Sequence, residues 1–233
     1  MRWILLAALL LCCGLSFGQS LSIHGETGYF RQGLVTQEGD GTQKRFFSNA
    51  DPVRPLGIAV RLSRRFWATA AYFKHREYIE YAPAQGQAAG ESILRTRNFT
   101  GGVYWRLPLF KWVELQPEML VHLVQYQQTA EPRTVHFAVS SNAGFDDIIA
   151  TTTFIDPGWR VQPYPRLRLV VKPVKRIHLH LGIGYSLGTK KLQEWTASYL
   201  VNGAPQKQAK TWTNGSKYFP SVGASVLFGK LKP

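Results

Sequence analysis

The segment IHLHLGIGYSL (residues 177–187) alternates between apolar side chains and polar or small ones without interruption. One set of alternate positions holds Ile177, Leu179, Leu181, Ile183 and Tyr185, and the positions between them hold His, Gly and Ser. A period of two is that of a β-strand whose two faces meet different surroundings, whereas a helix repeats every three or four residues. The segment therefore predicts an amphipathic β-strand.

The same alternation occurs in seven further segments. They span about 20–30, 54–63, a stretch beginning at 66, 95–107, 112–127, 158–172 and 217–229, and the strand quoted above spans about 176–190. Long polar connections alternate with short ones: the long ones are 31–53, 79–94, 128–157 and 191–216, and the short ones are 63–65, 108–111 and 173–175. In an up-and-down barrel, alternate connections lie at the same end. The predicted fold class is therefore all-β, an eight-stranded antiparallel up-and-down transmembrane β-barrel.

The alternation alone does not say which face points outward, because a soluble lipocalin-like carrier also has eight strands and turns its apolar face inward. Glycines on the polar face suit a crowded interior, and aromatic residues near both strand ends suit two membrane interfaces. On the third strand the alternation places Trp67 in the lipid-facing belt and Tyr72 in the lumen. The polar face also carries both signs of charge, which a narrow lumen must neutralise: Glu26, Arg61, Arg106, Glu114, Glu118, Arg166 and Arg168.

The chain is basic, with 28 Lys and Arg against 14 Asp and Glu and a formal net charge of +14. Much of this excess lies in the short turns, as a basic rim formed by Arg64, Arg65, Lys111, Lys172, Lys175 and Arg176. A nucleic-acid groove needs a basic stripe with aromatic side chains free to stack, and here the aromatic residues belong to the lipid belts. We therefore expect outer-membrane lipids, and no nucleic acid, as partners of the rim. The alternative is that the rim only keeps the turns solvated.

An apolar stretch at residues 4–13 follows a single positive charge at Arg2, and small residues at Ser16 and Gly18 precede Gln19. This is the pattern of a secretory signal peptide. The predicted organisation is a signal peptide at 1–18 and a single barrel domain at 19–233. Both cysteines, Cys12 and Cys13, lie in the signal peptide, so the mature chain has no disulfide, thiolate metal site or cysteine nucleophile.

The last predicted strand carries a sharper motif: Ser221, Gly223, Val226 and Phe228 follow the order polar, x, Gly, x, x, hydrophobic, x, aromatic. With its eight strands and loop asymmetry, the chain resembles the small outer-membrane barrels typified by the transmembrane domain of outer-membrane protein A. In that family the motif is the assembly signal. The resemblance implies a location in the outer membrane of a Gram-negative cell, and the barrel-assembly machinery as a partner during biogenesis.

The sequence offers little catalytic chemistry. His24, His122, His178 and His180 all point to the predicted interior, but two histidines on one strand do not make the three or four converging ligands that a metal needs. A hydrolase would join Ser186 or Ser225 to a histidine and a glutamate, and no G-x-S-x-G motif is present. No catalytic residue, metal or cofactor is predicted.

Three functions remain open at this point. The first is a structural or surface-contact barrel with a plugged polar lumen and four long extracellular loops of unknown partner. The second is a membrane-embedded lipid-modifying enzyme of the lipid A acyl-transfer or deacylation type, with strand prolines that open a lateral gate: Pro117, Pro163, Pro165 and Pro220. The third is the soluble lipocalin-like carrier.

Overall fold

The computed structural model describes residues 20–32, 35–38, 43–50, 52–83, 90–127, 133–138, 147–154, 158–201 and 204–229. The predicted signal peptide lies outside these residues. Within the described part of the chain, no helix is long and apolar enough to cross a membrane.

Eight antiparallel strands form the barrel: β1 Leu21–Gly28, β2 Leu56–Arg61, β3 Phe66–Pro83, β4 Gly90–Trp105, β5 Val113–Gln127, β6 Gly158–Val171, β7 Ile177–Ser186 and β8 Lys217–Phe228. Each strand pairs with its neighbour in the chain. The first strand also pairs with the last, from Leu21 opposite Phe228 to Gly28 opposite Ser221. The sheet is therefore closed, and the predicted fold class is confirmed.

The outer face of the barrel is apolar. Alternate residues are exposed along each strand, and they include Met119 (62% exposed), Val161 (64%) and Leu181 (58%). The residues between them are buried and mostly polar, as on β7, where His178 and His180 point inward. A soluble lipocalin-like carrier would have the reverse arrangement. A closed antiparallel barrel with an apolar exterior and a polar interior is the architecture of an outer-membrane protein, which agrees with the predicted location.

On β3, the predicted direction of the two faces is wrong. Trp67 is 1% exposed and packs inside against Tyr104, with ring centroids 6.0 Å apart. Tyr72 is 38% exposed and packs outside against Phe99, with ring centroids 4.7 Å apart. This strand carries apolar residues on both faces, so its own alternation does not show which face points to the lipid. The register decides, because it sets Tyr72 directly opposite the outward Phe99.

The connections predicted as long polar loops contain strands, which corrects that expectation. Beyond the extended β3 and β4, the additional strands are Arg31–Gln32, Val35–Glu38, Gln43–Ala50, Arg133–Ala138, Asp147–Phe154, Gln193–Val201 and Ala204–Thr213, and Leu107–Phe110 lies in a short turn. Five of them form a second sheet in the order 133–138, 147–154, 193–201, 204–213, 35–38. The run from Ile148 to Phe154 is rich in β-branched residues, a signal for strand that the polar composition around it obscured.

Two strand prolines lie where the pairing of β6 with β7 stops. That pairing runs from Arg166 opposite Gly184 to Val171, although β6 begins at Gly158. Beyond Arg166, the amide of Leu187 donates to the carbonyl oxygen of Pro163 at 2.9 Å. The N–H and C=O of one strand residue point to the same side, so the missing N–H of Pro163 is on the side that faces β7. Pro165 is two residues farther along the strand, so its missing N–H also faces β7.

The other two prolines also lie where a ladder ends. Pro220 accepts a backbone hydrogen bond from Tyr29 at 3.3 Å, one residue beyond the last β1–β8 pair at Ser221. Pro117 follows the last β4–β5 pair, which joins Tyr104 and Glu118. Each of the four strand prolines thus lies where β-pairing with one neighbour ends.

The closing seam gives a matched pair of glycine substitutions. A Cβ at Gly223 would collide with the carbonyl oxygen of Gly25 and lie 2.5 Å from Cε1 of His180, whereas a Cβ at Gly25 meets open space. We expect G223A to lower the free energy of unfolding by about 1–3 kcal/mol, as overpacking does, and G25A to leave it nearly unchanged. Urea unfolding of the barrel from lipid vesicles measures both. Equal stability of the two variants would contradict the described seam.

Candidate functional site: the barrel lumen

The centre of the lumen holds two carboxylates and two guanidinium groups. Arg166 donates from Nη1 to Oε1 of Glu26 at 3.1 Å, and Nη1 of Arg168 lies 3.5 Å from the same oxygen. Glu118 contacts Arg168 closely and lies 3.7 Å from Arg166. All four side chains are buried, and the two positive charges match the two negative ones. Because Glu26 on β1 and Arg166 on β6 belong to non-adjacent strands, the pair spans the lumen.

A second ionic group lies nearer the short turns. Arg106 donates two hydrogen bonds of 2.8 Å to the two oxygens of Glu114, the bidentate geometry that arginine favours. Lys172 also contacts Glu114 closely, and Gln116 donates to it at 3.3 Å. Of the seven lumen charges proposed from the sequence, the structure brings six into these two groups. Arg61 lies apart, and its Nε donates to the backbone oxygen of Ser63 at 3.1 Å.

The six residues predicted to form the basic rim do not all lie at the surface. Lys172 is half-buried and turns inward to Glu114, so it belongs to the lumen rather than to the rim. The other five rim residues are exposed: Arg64, Arg65, Lys111, Lys175 and Arg176. The inward direction of Lys172 could not be predicted from the sequence, because the residue lies directly after the end of β6, where the strand alternation stops.

An aromatic cluster fills the lumen on the loop side of the central ion pairs. Its buried members are Phe30, Val53, Phe73, Leu120, Tyr164 and Phe219. The ring of Phe30 lies 4.8 Å from that of Phe219 and 5.7 Å from that of Phe73, between centroids. The lumen is therefore polar only in part. Phe30 and Val53, near the two ends of the first long connection, were not predicted to lie in the lumen; the available signal was Phe219 on an otherwise polar face.

Beyond this cluster lies a buried hydrogen-bonded group that includes a serine and a histidine. Nδ1 of His122 is 3.0 Å from Oγ of Ser186, and Nε2 of His122 is 2.9 Å from Oδ1 of Asn98. Oγ of Ser186 also lies 2.5 Å from Oε1 of Gln162. Ser186, His122, Asn98 and Gln162 therefore form one hydrogen-bonded group, in which the tautomer of His122 decides whether the Ser186 hydroxyl donates to His122 or to Gln162. Both Ser186 and His122 are fully buried, and the group satisfies their polar atoms.

The described side chains leave little empty space between these layers. Two cavities in the lumen have volumes of about 10 and 20 Å³, one beside His24 and His178 and the other beside Glu118 and Phe73. Each is about the size of a single water molecule. In the described part of the chain, no group of three or more His, Cys, Asp or Glu residues is arranged to hold a metal ion.

The four residues of the proposed assembly signal lie on β8 at the closing seam. Ser221 points inward and accepts a hydrogen bond of 2.9 Å from Arg166, and Gly223 lies in the crowded interior. Val226 and Phe228 are exposed on the outer face, and Phe228 is paired with Leu21 of β1.

No family model matches the chain, and no curated protein matches it. Among solved structures it is similar to the outer membrane protein OprG from Pseudomonas aeruginosa, with 11% identity, 91% of this chain and 97% of that chain covered, and a TM-score of 0.49. It is also similar to a major outer membrane protein from Thermus thermophilus (9% identity, 90% and 99% covered, TM-score 0.47). The attachment invasion locus protein Ail of Yersinia pestis gives 13% identity, 90% and 99% coverage, and a TM-score of 0.40.

Removal of Glu114 leaves two cations in the lumen without their acceptor. We expect E114A to lower the free energy of unfolding by about 3–5 kcal/mol, the cost of removing one partner of a buried ion pair. The matched control is Q116A, which removes a neighbouring inward side chain without charge and costs about 1 kcal/mol. Urea unfolding from lipid vesicles compares the two. A loss no greater in E114A than in Q116A would contradict the role assigned to this group.

Proposed function

We propose that the protein is an outer-membrane barrel without an open pore, whose role is structural or depends on surface contacts made by its long connections. The observation that carries this proposal is the occupied lumen. Ion pairs cross its centre, an aromatic cluster lies beside them, and the cavities between hold about one water each. Eight strands enclose an interior just wide enough for such side chains.

The long connections support the surface role. They continue as paired strands, and strands of the first, third and fourth connections share one five-stranded sheet. Paired strands present a defined surface, in contrast to independent loops.

The surroundings of Ser186 favour a non-enzymatic role over the lipid-modifying alternative. Ser186 and His122 are both fully buried, and the aromatic cluster packs against them, with the His122 ring 5.9 Å from that of Phe30. A nucleophilic serine must be reached by its substrate, whereas this one is enclosed by neighbouring side chains.

The exposed rim residues fit a complementary role at the other end of the barrel. Each Lys or Arg near an anionic lipid surface contributes about 1 kcal/mol of attraction, within a Debye length. We propose that the five exposed rim residues face the phospholipid head groups of the periplasmic leaflet, and that the β8 motif is bound by the barrel-assembly machinery.

The filled lumen predicts that folded monomers conduct no large, steady ionic current. Planar-bilayer recordings on refolded protein test this, with a known porin as the positive control. Stable porin-like channels that persist after removal of aggregates would contradict the proposal.

The surface role predicts the side on which each connection lies. An epitope that replaces residues 142 and 143, in the third long connection, should bind antibody on intact cells. The matched insertion between Val174 and Lys175, in a short turn, should bind only after the cells are permeabilised. The reverse labelling pattern would contradict the proposed orientation.

A further inference from the structure

The outer wall of the barrel carries two facing pairs of cations. Lys74 of β3 stands directly opposite Arg97 of β4, and Arg76 stands directly opposite Arg95. All four side chains are exposed. Residues that face each other across an antiparallel ladder have Cβ atoms about 4.5–5.5 Å apart, and like charges at that separation destabilise the sheet. Two such pairs in succession call for a compensating anion.

The described residues supply no such anion. None of the ion pairs between described residues includes any of these four cations. The next acidic pair of the ladder, Glu80 opposite Glu91, stands four residues beyond Arg76. At about 3.3 Å per residue this is roughly 13 Å along the strand, too far for a direct ion pair. No ion pair between described residues therefore offsets the repulsion within these two facing pairs.

The four cations lie next to the outward aromatic residues on the loop side of the barrel. Tyr72 immediately precedes this stretch of β3, and its ring packs on that of Phe99, which lies 5.9 Å from the ring of Trp159. Aromatic residues of this kind lie at the level of the lipid head groups. The cations lie two and four residues farther out along the same strands, and are therefore at the level of the lipid phosphates.

An apolar groove begins near the same place. It has a volume of about 960 Å³ on the outer face across the β1–β8 seam, and its lining includes Arg54, Leu56, Leu181 and Val222. Leu56 at this end of the groove pairs with Tyr72, two residues before Lys74, so the groove ends one strand away from the cations. Gly25 also lines it, and a side chain added there would meet open space. The groove is thus shaped for an apolar chain lying against the wall.

We propose that this wall is a binding site for a phosphorylated, multiply acylated lipid of the loop-side leaflet, namely lipid A. Its phosphates would lie between Lys74, Arg76, Arg95 and Arg97, where arginine offers bidentate hydrogen bonds to phosphate oxygens. One acyl chain would lie in the groove that starts at Arg54. The inference rests on the proposed membrane barrel, and it adds a ligand and a site to it.

The test uses the double variant K74E/R76E, which places a carboxylate opposite Arg97 and another opposite Arg95. It should fold in neutral phosphatidylcholine at least as stably as the native protein, because both repulsive pairs become attractive ones. The matched control is R64E/R65E, which makes the same change of charge in a short turn. Native mass spectrometry of the folded proteins in detergent then compares binding of lipid A with binding of lipid A whose phosphates have been removed.

The native protein and R64E/R65E should bind the phosphorylated form about tenfold more tightly or better, as expected for charge-assisted hydrogen bonds, and K74E/R76E should show no preference. G25L, which fills the groove, should weaken binding of both forms and keep the preference. A preference retained in K74E/R76E, or lost equally in R64E/R65E, would overturn the site. Equal binding of phosphatidylglycerol would overturn the assignment to lipid A.

Folding is checked in each sample by heat-modifiable gel migration. If the native protein lacks this migration, the barrel proposal itself fails, which distinguishes that outcome from failure of the lipid site. If K74E/R76E does not fold, K74Q/R76Q replaces it, and the same comparison decides the proposal.

Discussion

The pairing of β1 with β8 is the constraint on which the rest of the structure depends. In a lipid bilayer no water satisfies free backbone groups, so a sheet that crosses it must close on itself. The eight pairs from Leu21–Phe228 to Gly28–Ser221 do this. Closure with only eight strands also sets the width of the interior, which leaves room for side chains and little else.

The narrow interior explains the layers of the lumen. Charged residues that point inward cannot reach bulk water, so Glu26 and Arg166 pair across the centre from non-adjacent strands. Where the inward residues are aromatic, they pack together instead, as Phe30 does with Phe219. The guanidinium carbon of Arg166 lies 5.8 Å from the centroid of the Phe219 ring, so the ionic and aromatic layers are in contact.

Much of the fold could be predicted because lipid outside and polar groups inside impose a strict period of two on each strand. The prediction failed where that contrast is absent: β3 is apolar on both faces, so only its register with β4 placed Trp67 inside. Where the contrast is clear, as on β5 and β6, charges such as Glu118 and Arg168 could be assigned to the lumen from parity alone. Lys172 and Phe30 could not be placed, because they lie at strand ends, where parity stops and tertiary contacts decide.

The central claim is that the apolar face of the strands meets lipid and the other face is packed inside, and the absence of cysteine after Cys13 allows a direct test of it. Single cysteines at positions 119, 120, 121, 123 and 124 of β5, each carrying a nitroxide spin label, report accessibility to oxygen in reconstituted vesicles. Positions 119, 121 and 123 should show the high oxygen accessibility of a lipid-facing site, and positions 120 and 124 should be immobile and inaccessible. High accessibility at 120 and 124, or no alternation along the strand, would contradict the account.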